Sequence, residues 1–206
     1  MSGNLAAVAL IAATVLAAVS LIPQILKLVR TVDPAGVSAT WPAIGGVTNA
    51  AWSVYLVHQG LWPASISTTL MVVFYGVVLW ALRRAGTDPG MPLLRGVVWS
   101  VILVVLTWAG GWLALGTVLG FAQFLQVAPA LFTAYRTRLP SGISPATWWI
   151  AGSEGALWGY YGWFHGDLPI MIFAVTYVTT SALMLGRYFA VARPAKGGPR
   201  SWVPCG

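Results

Sequence analysis

Seven apolar stretches take up most of the 206 residues, and every lysine and arginine lies at the end of a stretch, in a gap between two, or in the tail. The stretches run Leu5–Leu28, Pro42–His58, Trp62–Arg83, Leu94–Gly111, Trp112–Tyr135, Pro145–His165 and Leu168–Phe189. A helix needs about 20 largely apolar residues to cross a bilayer. Barrel strands would instead alternate in character over segments of about ten residues, which these do not. Only 7% of the chain is charged, against about 25% in an average soluble domain. That is too little charge to cover a water-facing surface. It excludes a soluble enzyme, a disordered chain and a nucleic-acid module, and predicts an all-α integral membrane protein with seven transmembrane helices.

The positions of the positive charges orient it. Lys27 and Arg30 close the first stretch, Arg83, Arg84 and Arg95 flank the third gap, Arg136 and Arg138 follow the fifth stretch, and Arg187, Arg193, Lys196 and Arg200 end the chain. Seven crossings put all eleven on one face. The positive-inside rule then predicts a multi-pass protein of the cell membrane, N-terminus outside and C-terminus cytoplasmic. The net charge of +7 thus reads as topology and lipid-headgroup contact, with no nucleic-acid partner. The first stretch is too long, and lacks the positive lead, for a signal peptide. One cysteine, Cys205, gives no disulfide framework or metal site. Nine Arg to two Lys in an Ala-, Gly- and Val-rich chain points to a bacterial gene of high GC content.

A shift of 106 residues brings the two ends of the chain into register. Pro23 falls on Pro129, Gly36 on Gly142, Ser38 on Ser144, Gly46 on Gly152, Trp52 on Trp158, Tyr55 on Tyr161, Gly60 on Gly166 and Pro63 on Pro169. Each unit holds three stretches, so the predicted organisation is 3 + 1 + 3. Residues 5–84 form one repeat, 94–111 a linker helix, 112–190 the second repeat, and 191–206 a cytoplasmic basic tail. A three-helix unit ends on the side opposite its start. One extra crossing therefore makes the two units parallel, about an axis along the membrane normal.

These residues resemble the PQ-loop superfamily, which includes the SWEET and SemiSWEET sugar transporters. The resemblance rests on Ser20-Leu21-Ile22-Pro23-Gln24, Gly36-Val37-Ser38, Trp52-x-x-Tyr55 and Pro63, with Pro129, Gly142-Ile143-Ser144, Trp158-x-x-Tyr161 and Pro169 in the second unit. It implies a seven-helix transporter fold. It also implies hinge or gate roles for prolines in the first two helices of each repeat: Pro23, Pro129 and Pro145 fit, while Pro42 is displaced by about a turn. The sequence departs from the family in two ways. Gln24 is matched by Ala130, and the third-helix asparagines usual in the sugar carriers are Thr68 and Ala174 here, which weakens the case for a sugar.

Among the four acids, only Glu154 falls inside a stretch. A carboxylate at mid-membrane costs about 2.5–3.5 kcal/mol on insertion scales, so it normally faces a cavity or a partner. No lysine or arginine lies at its depth. Glu154 is therefore expected to be protonated or in contact with water in a central pore, and it is the candidate for proton coupling. Four residues on, Trp158 shares its helix face, and Thr48 and Trp52 repeat the pair. The two tryptophans offer flat faces on which a sugar ring or a cation can rest. Asn49, Ser67, Thr68, Gln123 and Gln126 could line the same path, and Tyr55 and Tyr161 an outer gate. His58 and His165 are placed at helix ends as interfacial residues.

Nothing in the sequence suggests catalysis, a metal or a cofactor. There is no lysine inside a span for a Schiff base, no HExxH and no phosphate-binding loop. The first reading is an alternating-access carrier for a small polar solute, a sugar before others, and a homo-oligomer is compatible with it. The second is a proton-coupled carrier of an amino acid or cationic metabolite through Glu154. The third is a receptor or assembly factor on the same scaffold.

Overall fold

The computed structural model describes residues 2–31, 38–136 and 144–192; these are helical apart from short connections, with no strand among them. Helix α1 is Ser2–Thr31, α2 is Thr40–His58 and α3 is Trp62–Arg84. Gly90–Arg136 is one run broken at Gly111, giving α4 (90–110) and α5 (112–136). Helices α6 (Pro145–His165) and α7 (Leu168–Ala192) complete the set. The boundaries differ from the sequence reading by a few residues: α1 runs on through Arg30 to Thr31, α3 to Arg84, and α4 starts at Gly90 and not at Leu94.

Gly111 has φ 71° and ψ −170°, a conformation that a residue with a Cβ rarely adopts. The chain reverses there. Along α4, Arg95 bonds Thr40, Gly96 approaches Ala43, and Trp99 bonds Thr48, so α4 and α2 run in the same direction. Along α5, Gly116 meets Tyr55 near the far end of α2, while Gln126 lies with Trp41 at its start, so α5 runs the other way.

Around the bundle, α1 packs on α3 and α6, α3 on α2, α2 on the α4–α5 run, that run on α7, and α7 on α6. The ring is closed. In lipid no hydrophobic force drives helices together, so close packing depends on small residues and polar contacts. On α6 the glycines at 152, 155, 159 and 162 face Ser181, Tyr177 with Val178, Ala174 and Ile170 of α7 in antiparallel register. A Cβ at Gly162 would lie 2.9 Å from Ile170, and one at Gly155 would lie 3.1 Å from Tyr177.

Apolar character is distributed inside-out relative to a soluble bundle. On α1 the small residues Ala6, Ala9, Ala13 and Ala17 are buried, while Leu5, Val8, Ile11, Val15 and Val19 are exposed. Helix α4 exposes Val97, Val98, Val101, Val104 and Val105 and buries Leu103. Exposed tryptophans sit near both ends: Trp62, Trp108 and Trp163 at one, Trp80 and Trp149 at the other, where indole rings favour the bilayer interface. Among the described residues four segments are long and apolar enough to cross a membrane: Gly3–Ser20, Trp62–Arg84, Gly90–Ala128 and Leu168–Val191. The Gly90–Ala128 segment contains the reversal. Helices α2 and α6, richer in Gly and polar residues, fall below that hydropathy and line the centre instead. The chain is a multi-pass membrane protein.

Gly162→Ala should lower stability by about 1–3 kcal/mol through overpacking. Gly76→Ala, where the new Cβ meets nothing within 4 Å, should be neutral or raise stability by up to about 1 kcal/mol. Melting temperatures in one detergent compare the two, and equal values would contradict the close α6–α7 contact.

Candidate functional site

A cavity of about 240 Å³ lies at the centre of the bundle. This is slightly below the range of about 300–1,000 Å³ for drug-sized ligands, so it suits a small solute. Both halves of the chain wall it. From the first half come Thr48, Asn49, Trp52, Ser67 and Thr68; from the second, Gln123, Gln126, Glu154 and Trp158. The two threonines, the asparagine, the glutamate and both tryptophans named from the sequence are thus brought to one space.

Much of the polar lining is already engaged. Thr48 Oγ1 donates to the Ile44 carbonyl at 2.9 Å and accepts from Trp99 Nε1 at 3.0 Å. Asn49 Nδ2 donates to the Gly45 carbonyl at 2.9 Å, and Thr68 shares a 2.7 Å hydrogen bond with Ser53. Glu154 is 6% exposed, and its Oε2 accepts from the Tyr177 hydroxyl at 3.3 Å, the long end of the hydrogen-bond range. Among the described residues no buried side-chain nitrogen or oxygen lacks a partner. Glu154 is the one charged side chain among the described residues lining the cavity.

Trp52 and Trp158 are both buried. Each stands edge-on to its own tyrosine: Trp52–Tyr55 at 5.5 Å and 84°, Trp158–Tyr161 at 5.9 Å and 86°. The two pairs, 106 residues apart in sequence, thus have nearly the same geometry. Phe173 breaks the symmetry, since its ring lies edge-on to both indoles at 6.0 and 6.4 Å. The sequence reading missed it because the matching position, 106 residues earlier, is Ser67. Tyr75 and Tyr177, also missed, add aromatic wall below the tryptophans.

Beyond the tryptophans, toward His58 and His165, the bundle is sealed. Tyr55, Leu56, Tyr161 and Ile170 are each at most 3% exposed. The Tyr55 hydroxyl donates to Asp167 Oδ2 at 2.9 Å, and Asp167 Oδ1 accepts from the Ile170 N–H at 2.9 Å. Asp167 therefore caps the start of α7 and ties it to α2. From sequence it is an acid outside the spans; its signal was the position three residues before a backbone N–H of an opening helix. The matching position in the first repeat is Leu61, so Tyr161 has no equivalent acceptor there. His58 stacks on Trp112 at 4.0 Å, and His165 lies 4.4 Å from Tyr161; both are at exposed helix ends.

The prolines divide into two groups. Pro145 opens α6 behind Ser144, whose hydroxyl accepts from Thr147 N–H, and Pro42 is in the first turn of α2. Neither position removes an internal helical hydrogen bond, so any pivot there would swing a whole helix from its end. Pro23, Gln24 and Pro129 lie on helical backbone, but their side chains are outside the described residues, as are Gly36, Gly142 and the tail from residue 193.

Tyr55→Phe removes a hydrogen bond to a charged acceptor, a loss of about 1.5–3 kcal/mol. It should lower the melting temperature and raise labelling of a cysteine placed at Leu56 by a water-soluble thiol reagent. Unchanged labelling would show that the bond does not hold this end shut.

Comparison with known families places residues 5–65, covering α1, α2 and the start of α3, in the PQ loop repeat family. Comparison with curated proteins and with solved structures yields no match. The match is thus to the PQ loop repeat over residues 5–65, the helices that form one wall of the central cavity.

Proposed function

We propose that this protein is a membrane carrier that moves a small polar solute, a sugar before others, by alternating access through the central cavity. The observation that carries the reading is the cavity itself. It is shared between the two halves of the chain, roofed by Trp52, Trp158 and Phe173, and sealed beyond them by Tyr55, Tyr161 and Asp167. Membership of residues 5–65 in the PQ-loop family supports it.

In this reading 5–84 and 112–190 are parallel repeats that rock against each other, with 94–111 as the linker. The outer end is the one sealed by the tyrosines, and the arginine-bearing end is cytoplasmic. Trp52 and Trp158 bear on the solute through their ring faces, while Asn49, Thr48, Thr68 and Glu154 contact its polar groups. Pro23, Pro129, Pro42 and Pro145 are the pivots, with Gln24 beside the first. Opening the outer end requires the Tyr55–Asp167 bond to break.

Counterflow of radiolabelled sugars in proteoliposomes tests this. Trp52→Ala or Trp158→Ala should reduce uptake about tenfold or more, the equivalent of losing one aromatic contact with its buried area. Full activity in both variants would end the assignment of the pocket.

One observation favours the second reading, a proton-coupled carrier of an amino acid or cationic metabolite. Glu154 is a buried carboxylate in the cavity wall, hydrogen-bonded to the Tyr177 hydroxyl and the Trp158 indole, neither of them a cation. Under that reading Glu154→Gln abolishes stimulation of uptake by an imposed pH gradient while solute binding persists. Uptake that responds to the gradient as before would remove Glu154 from any proton path.

A further inference from the structure

A second hollow, of about 380 Å³, lies on the flank of the bundle between α2, α4 and α5. Its described lining is Ser38, Thr40, Trp41, Ile44, Trp99, Ala122, Leu125 and Gln126. The polar members are Ser38 and Thr40 at the start of α2, together with Gln126; deeper in, the walls are Ile44, Trp99, Ala122 and Leu125. Ile44 lies four residues beyond Thr40, about 6 Å further along the helix axis. Leu125 is 66% exposed, so the hollow sits at the outer surface of the bundle, where lipid chains run.

Arg95 stands at the polar rim. Its Nη1 donates to Thr40 Oγ1 at 2.8 Å, which fixes the exposed guanidinium above the groove and commits one of its five N–H donors. A guanidinium suits a phosphate diester, which it can bond through two parallel N–H groups. Arg83, Arg84 and Arg136 lie at the same end of the bundle. Through Arg95 the rim carries positive charge above a slot with apolar inner walls.

The groove lies against the central cavity. Trp41 and Gln126 line both spaces, so these two side chains form the partition. The hydrogen bond from Trp99 Nε1 to Thr48 Oγ1 also runs from a groove wall to a cavity wall.

We propose that this groove is a binding site for an anionic phospholipid of the arginine-side leaflet, with the phosphate on Arg95 and one acyl chain laid against Ile44, Trp99 and Leu125. Charge complementarity at the rim selects the headgroup, and the apolar slot below takes the chain. Because Trp41 and Gln126 line this groove as well as the central cavity, a lipid that fills the groove borders one wall of that cavity. The assignment stands on the groove alone and does not depend on transport.

The test is native mass spectrometry of the full-length protein, delipidated and then titrated with phosphatidylglycerol or phosphatidylcholine of the same chain length. The parent should retain phosphatidylglycerol about fivefold better, the preference expected from one well-placed cation near a membrane surface. Arg95→Gln should bring the two lipids level, Arg95→Lys should keep part of the preference, and Arg84→Gln should leave it intact. Leu125→Trp, which fills the slot, should weaken retention of both lipids. Equal retention of the two lipids by the parent would overturn the proposal. So would a drop in Arg84→Gln as large as that in Arg95→Gln, because the preference would then come from the diffuse charge of the whole face. These are binding readouts, so a failure here is distinguishable from a failure of the carrier reading, which rests on counterflow.

Discussion

Helices in lipid gain nothing from burying apolar side chains against one another, because the acyl chains are equally apolar. What holds this bundle together is close approach where side chains are small and hydrogen bonding where they are polar. The glycine stripe of α6 brings α7 to van der Waals contact along its length. Thr176 Oγ1 reaches the Gly120 carbonyl at 2.9 Å, and Trp99 reaches Thr48. Large apolar side chains are left to face the membrane, and the centre is free to hold polar groups around a cavity.

The two halves of the chain wall the cavity alike in one respect and differently in others. The Trp52–Tyr55 and Trp158–Tyr161 pairs keep nearly the same ring geometry. The chemistry around them differs. At the 106-residue offset, Glu154 with Tyr177 stands against Thr48 with Met71, Phe173 against Ser67, and Asp167 against Leu61. All three differences place the bulkier or more polar residue in the second half. The two walls of the cavity therefore differ, with an acid on one side and hydroxyls and an amide on the other.

Much of this was legible in the residues. Apolar runs separated by glycine, proline and charge located all seven helices to within a few residues, because membrane helices must be long and internally hydrogen-bonded. The 106-residue offset marked Trp52 and Trp158 as equivalents. Glu154 stood out because a carboxylate inside a span is costly. Phe173, Tyr75 and Asp167 were not legible in this way. The first lacks a repeat mate, the second is one aromatic among many, and the third lies outside the apolar stretches. Its importance comes from a partner, Tyr55, that is 112 residues away.

The sequence by itself determined the membrane class, the helix count, the reversal point at Gly111 and the residues that recur at the 106-residue offset. These follow from local composition, periodicity and the scarcity of charge, which act along the chain. Only the tertiary structure decided that Phe173 meets both tryptophans, that Tyr55 and Asp167 close one end, and that Trp41 and Gln126 divide the cavity from a groove on the flank. Those outcomes depend on which faces of distant helices meet. In a bundle packed by small residues, the meeting faces are set by the fit of one helix against the next, a property that no single segment carries.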